Sequence, residues 1–270
     1  MDTWRLLETP LARGAWNMAA DEALREAVGR GESSPLLRLY SWAPGCLSLG
    51  LGQSRADVDD AGLAAHGWDL VRRASGGRAI LHIDELTYSV IAPIGEVRVQ
   101  GSILESYRRL AQALMAALRS LGLPVEMQGE APPSAQTKGP VCFEVPSSYE
   151  IVIAGKKLVG SAQARNRDSV LQHGTLPLSG DLSRITRALA FPDKAARDAA
   201  AAKLLTRATT VETVLGSAPA WELAAAAFVA AFEEELALRF VVSEMDDAEL
   251  LRTEELVQTK YAHADWTGRA

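Results

Sequence analysis

The sequence predicts a chain of mixed α and β structure, and three observations carry that expectation. Short runs of apolar, β-branched and aromatic residues alternate with Gly- and Pro-containing turns through the first two thirds of the chain. One capped amphipathic helix, Ser102 to Leu121, interrupts them. After Pro177 the pattern becomes helical.

In order, residues 17 to 28 (NMAADEALREAV) read as a helix. Asn17 is the expected cap, Asp21 and Glu22 lie near its positive end, and Gly29 and Gly31 terminate it. Leu36 to Tyr40 and Cys46 to Leu51 read as strands divided by Pro44-Gly45. Gly50-Leu51-Gly52-Gln53 permits a close backbone approach. Leu70 to Arg73 forms a short strand that enters Ala74-Ser75-Gly76-Gly77, Arg78 to Leu81 leaves it, and Glu85 to Ala92 has the composition of a buried strand. Ser102 and Glu105 make a capping box, with Gly122 and Pro124 as the stop. Residues 128 to 140 are polar and turn-rich. Beyond Pro177, helices are expected over 182–190, 193–206, 210–215, from Pro219 onward, and around 247–260.

Composition narrows the function classes. The 270 residues are 48% hydrophobic and 23% charged, ordinary for a globular enzyme. A net charge of −6 argues against a sequence-independent nucleic-acid footprint. No apolar run reaches the length of a membrane span, and the N-terminus has no apolar segment before a small-residue cleavage site. The expectation is therefore a cytoplasmic protein with neither nucleic acid nor membrane as partner. Two cysteines, Cys46 and Cys142, make no disulfide framework and are expected to be free. No repeat or low-complexity linker forces a two-domain split.

The chemical hypothesis centres on residues 142 to 178. YEIVI (149–153), Ala154-Gly155 and Lys157-Leu158-Val159 read as a β-hairpin. Its arms bring Lys157 toward Cys142, which just precedes the first arm. A free thiol titrates near about 8.5, and an adjacent ammonium favours the nucleophilic thiolate. Backbone amides near Gly76-Gly77 and Gly160-Ser161-Ala162 are candidates for stabilising an oxyanion. Arg72, Ser75, His82 and His173 with Gly174 are candidates for shaping the substrate site. The commoner roles are bland: a lone cysteine is usually a small buried hydrophobe and a lone histidine a hydrogen-bonded structural residue.

RRASGGRAILHIDELTYSV (72–90) with CFEVPSSYEIVIAGKKLVGSAQARNRDSVLQHGTLPL (142–178) resembles the lipoate-protein ligase A and octanoyltransferase family. The opening helix, Leu-Ser-Leu-Gly-x-x-Gln at 47–53, and Lys260, Tyr261 and Trp266 are also similar. The resemblance implies an α+β fold of mixed β-sheets flanked by helices, the biotin/lipoate protein ligase architecture. Residues 1–245 would form the catalytic domain and 246–270 a C-terminal helical extension. ATP-using ligases carry a third glycine where this chain has Arg78 and Gly-Asn where it has Glu85-Leu86. Gly-Gly-Arg, Glu-Leu-Thr-Tyr-Ser and Cys-Phe-x-x-Pro-Ser instead match relatives that move octanoyl from acyl carrier protein to glycine-cleavage H protein.

On that resemblance the activity is an octanoyltransferase of lipoate biosynthesis, working through a Cys142 thioester. Family position selects Lys157 over Lys156. Acyl carrier protein is the expected donor, a lipoyl-domain protein such as H protein the acceptor, and no ATP, cofactor or metal is expected. The rivals are an ATP-dependent lipoate or octanoate ligase, an amidotransferase from H protein to other lipoyl domains, a non-catalytic acyl- or lipoyl-domain-binding module, and a thiol hydrolase.

Overall fold

A computed structural model describes residues 2–9, 11–129 and 150–269. Its first half runs β1 (Asp2–Glu8), α1 (Gly14–Gly29), β2 (Leu36–Tyr40), β3 (Cys46–Leu49), α2 (Asp60–His66), β4 (Asp69–Arg72), β5 (Ile80–His82), β6 (Glu85–Pro93) and α3 (Ile103–Ser120). After α3 come β7 (Glu126–Met127), β8 (Ile151–Ile153), β9 (Lys156–Arg165) and β10 (Ser169–Pro177). The helical end holds α4 (Lys194–Arg207), α5 (Val211–Leu215), α6 (Trp221–Glu235), α7 (Asp247–Leu256) and α8 (Ala264–Thr267), with β11 (Leu238–Val242) between α6 and α7. The α+β expectation holds. Among the described residues, no helix is long and apolar enough to cross a membrane.

Eight strands form one sheet in the order β11-β1-β2-β6-β10-β9-β8-β7, and β4-β3-β5 form a second. The large sheet is mixed: β1 runs parallel to β2 and β11, and the pairs from β2 to β7 are antiparallel. Its register separates two faces, because successive side chains alternate. Leu39, Tyr88, Gly174 and Ser161 lie in one row across β2, β6, β10 and β9. That face meets α3 and α6, where Tyr88 packs against Phe228 and Phe232 in the main core. The opposite face carries Tyr40, Thr87, Thr175 and Gly160 in one row and Arg38, Ser89, His173 and Ala162 in the next. α1 covers this second, more polar face.

The local signals account for much of this. Ser102 and Glu105 close the capping box of α3. Ala154 and Gly155 both have positive φ, the backbone of a tight hairpin turn, and join β8 to β9. Gly50 permits the expected close approach: a Cβ there would sit 2.0 Å from the Gly77 carbonyl oxygen.

Three expectations need correction. Asn17 is not the cap of α1, which begins at Gly14. Its buried side-chain amide instead donates to the Ala12 and Ser41 carbonyls. Asp21 and Glu22 consequently fall in mid-helix and are held by Arg38 and Lys260 rather than by the helix end. LRFVV forms β11, an edge strand beside β1, inside a region expected to be wholly helical. The C-terminal helices are tied to β1 by the Arg5–Glu249 ion pair and to α1 by Arg252–Glu26 and Lys260–Glu22.

Candidate active site

The polar face under α1 borders a small, partly enclosed and mostly apolar cavity. Gly77, Ile80, Ser161 and Ala162 are its more exposed lining and mark its mouth. Met18, Tyr40, Trp42 and Thr87 are buried and form its floor. From β2 to β9 the sheet makes three strand steps of about 4.8 Å each. The lining residues therefore extend over about 14 Å of the sheet.

The floor is rigid. Trp42 stacks on His82 with ring centroids 3.9 Å apart, and its Nε1–H donates to Thr87 Oγ1 at 2.8 Å. Thr87 in turn donates to Glu85. His82 Nδ1 lies 2.6 Å from Glu85 Oε1 and its Nε2 2.7 Å from Ser48 Oγ. His173 is placed similarly. Its Nδ1 lies 3.4 Å from Asp21 Oδ2 and its Nε2 2.5 Å from Ser75 Oγ. Burial lowers the His173 pKa below the ordinary histidine value and outweighs the pull of Asp21, so the imidazole is neutral at pH 7. Burial pushes the Asp21 carboxyl up, but Arg38, His173 and Ser89 together bring it below its ordinary value.

The Ser-Gly-Gly-Arg loop is tied down from beneath. Arg73 donates to Ser48 O and Oγ and to the Gly76 and Arg78 carbonyls. Arg72 is fully buried and does not line the cavity. Its guanidinium spans the carbonyls of Gly50, Gln53 and Thr267 and so holds the 50–53 loop and the C-terminus together. Gly174 lines the cavity through its backbone and makes room on the other face, where a Cβ would lie 2.7 Å from Tyr88 Cε1.

Cys142 lies outside the described residues. Lys157 is described, and it lines a second cavity with Glu150, Val159 and Tyr107 of α3. Strand alternation puts Lys157 with Ser161 and Gln163 on the α3 side, and Gly160 with Ala162 on the α1 side. The two cavities share Ser161 and Ala162. They meet where, among the described residues, β8 pairs with β9 only as far as Val159. Lys157 is buried and its Nζ lies 2.5 Å from Glu150 Oε1. Lys156 points away and donates to the Leu205 carbonyl. The thiol of Cys46 is wholly buried, and burial raises its pKa well above normal. Cys46 is therefore an inert core residue, as expected.

Sequence reading missed Glu150, Asp21, Trp42 and Thr175. A visible signal existed for Asp21: an acid three residues from Met18 and from Leu24 lies on the apolar stripe of its helix, and Arg38 is the lone charge in LLRLY.

Residues 13–233 match the lipoyl protein ligase A/B catalytic domain. The octanoyltransferase LipM of Moorella thermoacetica is 41% identical over 270 residues, covering 99% of this chain and 98% of that one. The octanoyltransferase LipM of Exiguobacterium sibiricum is 38% identical over 269 residues, 97% of each chain. The structure of a bipartite lipoate protein ligase and its E2 lipoyl domain from Thermoplasma acidophilum superposes with a TM-score of 0.83 at 24% identity, covering 99% of this chain and 97% of that one. That likeness concerns the fold. The chain belongs to the lipoyl protein ligase A/B catalytic domain family.

Proposed function

We propose that the protein is an octanoyltransferase of lipoate biosynthesis. It takes the octanoyl group from acyl carrier protein, holds it as a thioester on Cys142, and passes it to a lysine of a lipoyl-domain protein such as glycine-cleavage H protein. The carrying observation is near-full-length similarity to relatives named octanoyltransferase. The mostly apolar cavity with its rigid aromatic floor supports the same reading.

The chemistry needs no nucleotide. Cys142 thiolate attacks the donor thioester carbonyl, and the donor leaves as a thiol after taking a proton. The neutral amine of the acceptor lysine then attacks the new thioester, and an amide forms as Cys142 leaves. Thioester exchange is close to thermoneutral and amide formation is downhill. An acyl-enzyme also lets two bulky partners use one site in turn, giving ping-pong kinetics. Lys157 supplies positive charge for the thiolate and the oxyanion, moderated by Glu150.

Intact-mass spectrometry after mixing with octanoyl-acyl carrier protein, without ATP, tests this. The protein gains one octanoyl group that hydroxylamine removes, Cys142→Ser loses most transfer activity, and Cys46→Ser keeps the adduct. Octanoylation that requires ATP and releases AMP, or an adduct on Cys46, would overturn the proposal.

A further inference from the structure

Thr175 is the exception on the polar face. It follows His173 by two residues on β10, so both side chains point toward α1. It lines the cavity and is 1% exposed. Among the described residues, its hydroxyl has no hydrogen-bond partner. The polar side chains around it are engaged: Thr87 with Trp42 and Glu85, His173 with Asp21 and Ser75, His82 with Glu85 and Ser48, and Ser161 with Tyr88. Folded proteins pair the large majority of buried side-chain polar atoms, and leaving one unpaired costs about 1–3 kcal/mol. An unpaired hydroxyl on a side chain that lines a cavity is thus a feature the bound state explains better than the free one.

Its position identifies the atom it would meet. Thr175 stands between Thr87 on β6 and Gly160 on β9. It is one strand step, about 4.8 Å, inside the β9 edge where the mouth lies. Gly160 has no side chain to shield it. Farther in, the floor offers the apolar atoms of Met18, Tyr40 and Trp42. An acyl group entering tail first therefore sets its hydrocarbon against that floor and its polar end near Thr175. We propose that the Thr175 hydroxyl donates a hydrogen bond to the carbonyl oxygen of the octanoyl thioester, fixing both the direction of the carbonyl and the depth of the tail. This inference rests on the octanoyl-transfer reading above.

Isotope-edited infrared spectroscopy of protein carrying a ¹³C-carbonyl octanoyl group tests it. Thr175→Val removes the donor and keeps the shape. Its thioester carbonyl stretch should move to higher wavenumber than in wild type, and Thr175→Ser should restore it. Single-turnover acylation should slow about 10- to 100-fold in Thr175→Val, while the melting temperature of the free protein stays level or rises. If wild type takes no octanoyl group, the transfer reading fails and this inference with it. If wild type is acylated but the stretch is the same in Thr175→Val, this inference alone is overturned. A lower melting temperature in the unacylated valine variant would also overturn it, because the hydroxyl would then be serving the fold.

Discussion

The buried pair Lys157–Glu150 gives a prediction with a magnitude. At 2.5 Å, with an effective dielectric constant of about 20, two unit charges attract by roughly 6–7 kcal/mol. Desolvating both groups takes most of that back, so the net coupling should be about 2–4 kcal/mol. Removing one partner should cost about 3–5 kcal/mol, because it leaves the other charge buried without its counter-ion. For a chain of this length 1 kcal/mol corresponds to about 2 °C in Tm. Lys157→Met and Glu150→Gln should each lower Tm by about 6–10 °C, and the double variant by clearly less than the sum. Urea unfolding of the four proteins at pH 7 measures the cycle. Additivity within about 0.5 kcal/mol would refute the pairing argument. The same variants bear on chemistry: Lys157→Met should raise the apparent pKa of the reactive thiol, seen as iodoacetamide reactivity against pH, and Glu150→Gln should lower it. A thiol profile unchanged in Lys157→Met would remove that lysine from the mechanism.

Other predictions follow from single contacts. Gly174→Ala would place a Cβ 2.5 Å from the Gly160 carbonyl oxygen inside the sheet, so it should cost about 1–3 kcal/mol and lower the chemical denaturation midpoint even with no ligand present; an unchanged midpoint would mean that the strands separate easily there. Cys46 should resist iodoacetamide in the native protein at pH 8 and react once denatured, because its thiol is buried and its pKa raised; peptide mapping that finds native labelling would contradict this. His173 has its folded pKa held below the ordinary 6.5 by burial, so the unfolded chain binds its proton first as pH falls. Stability should therefore decline from about pH 6.5 toward the folded pKa, and His173→Gln should flatten that decline in denaturant midpoints between pH 7 and 5. Equal slopes in the two proteins would show that His173 does not titrate in this way.

What could be read from sequence was local. The capping box at Ser102, the Ala154-Gly155 reversal and the Gly50 approach each depend on a few adjacent residues whose backbone preferences are strong, and each is where it was expected. The Asn17 cap failed because an apparently good capping residue was needed elsewhere: its amide spans two carbonyls from different segments, a demand invisible without the tertiary neighbours. β11 was missed because LRFVV is five residues long and follows a helix, and only its pairing with β1 makes it a strand. At the site, Gly77, His82 and His173 were found and do line one cavity. Glu150 was not, since nothing near it in sequence shows that a carboxylate will be buried against Lys157. Arg72 was singled out as a candidate for shaping the substrate site and instead spans backbone carbonyls, which a guanidinium with five donors does readily.

The two faces of the large sheet differ in a way that stability alone does not explain. Toward α3 and α6 the rows on β2 and β6 are Leu37 with Val90 and Leu39 with Tyr88, an apolar packing surface on these two strands. Toward α1 the equivalent rows carry Arg38, Ser89 and His173, with Asp21 reaching in from the helix. Replacing a buried ionic network by well-packed apolar residues is often neutral or stabilising, so a sheet shaped only for stability would have two apolar faces. Apart from Thr175, the α1-side residues of these rows satisfy one another, which holds His173 and the floor around Trp42 in fixed orientations beside the cavity. Local rules of packing tend to be broken where a site must be preorganised. The α3 side has its own smaller polar cluster, Gln172 with Gln163 and Tyr88, but the ionic and imidazole groups lie on the face that contains the cavity, which meets the one lined by Lys157 at β9. The polar rows therefore act as a rigid frame, with Thr175 the one hydroxyl in them left to an incoming ligand.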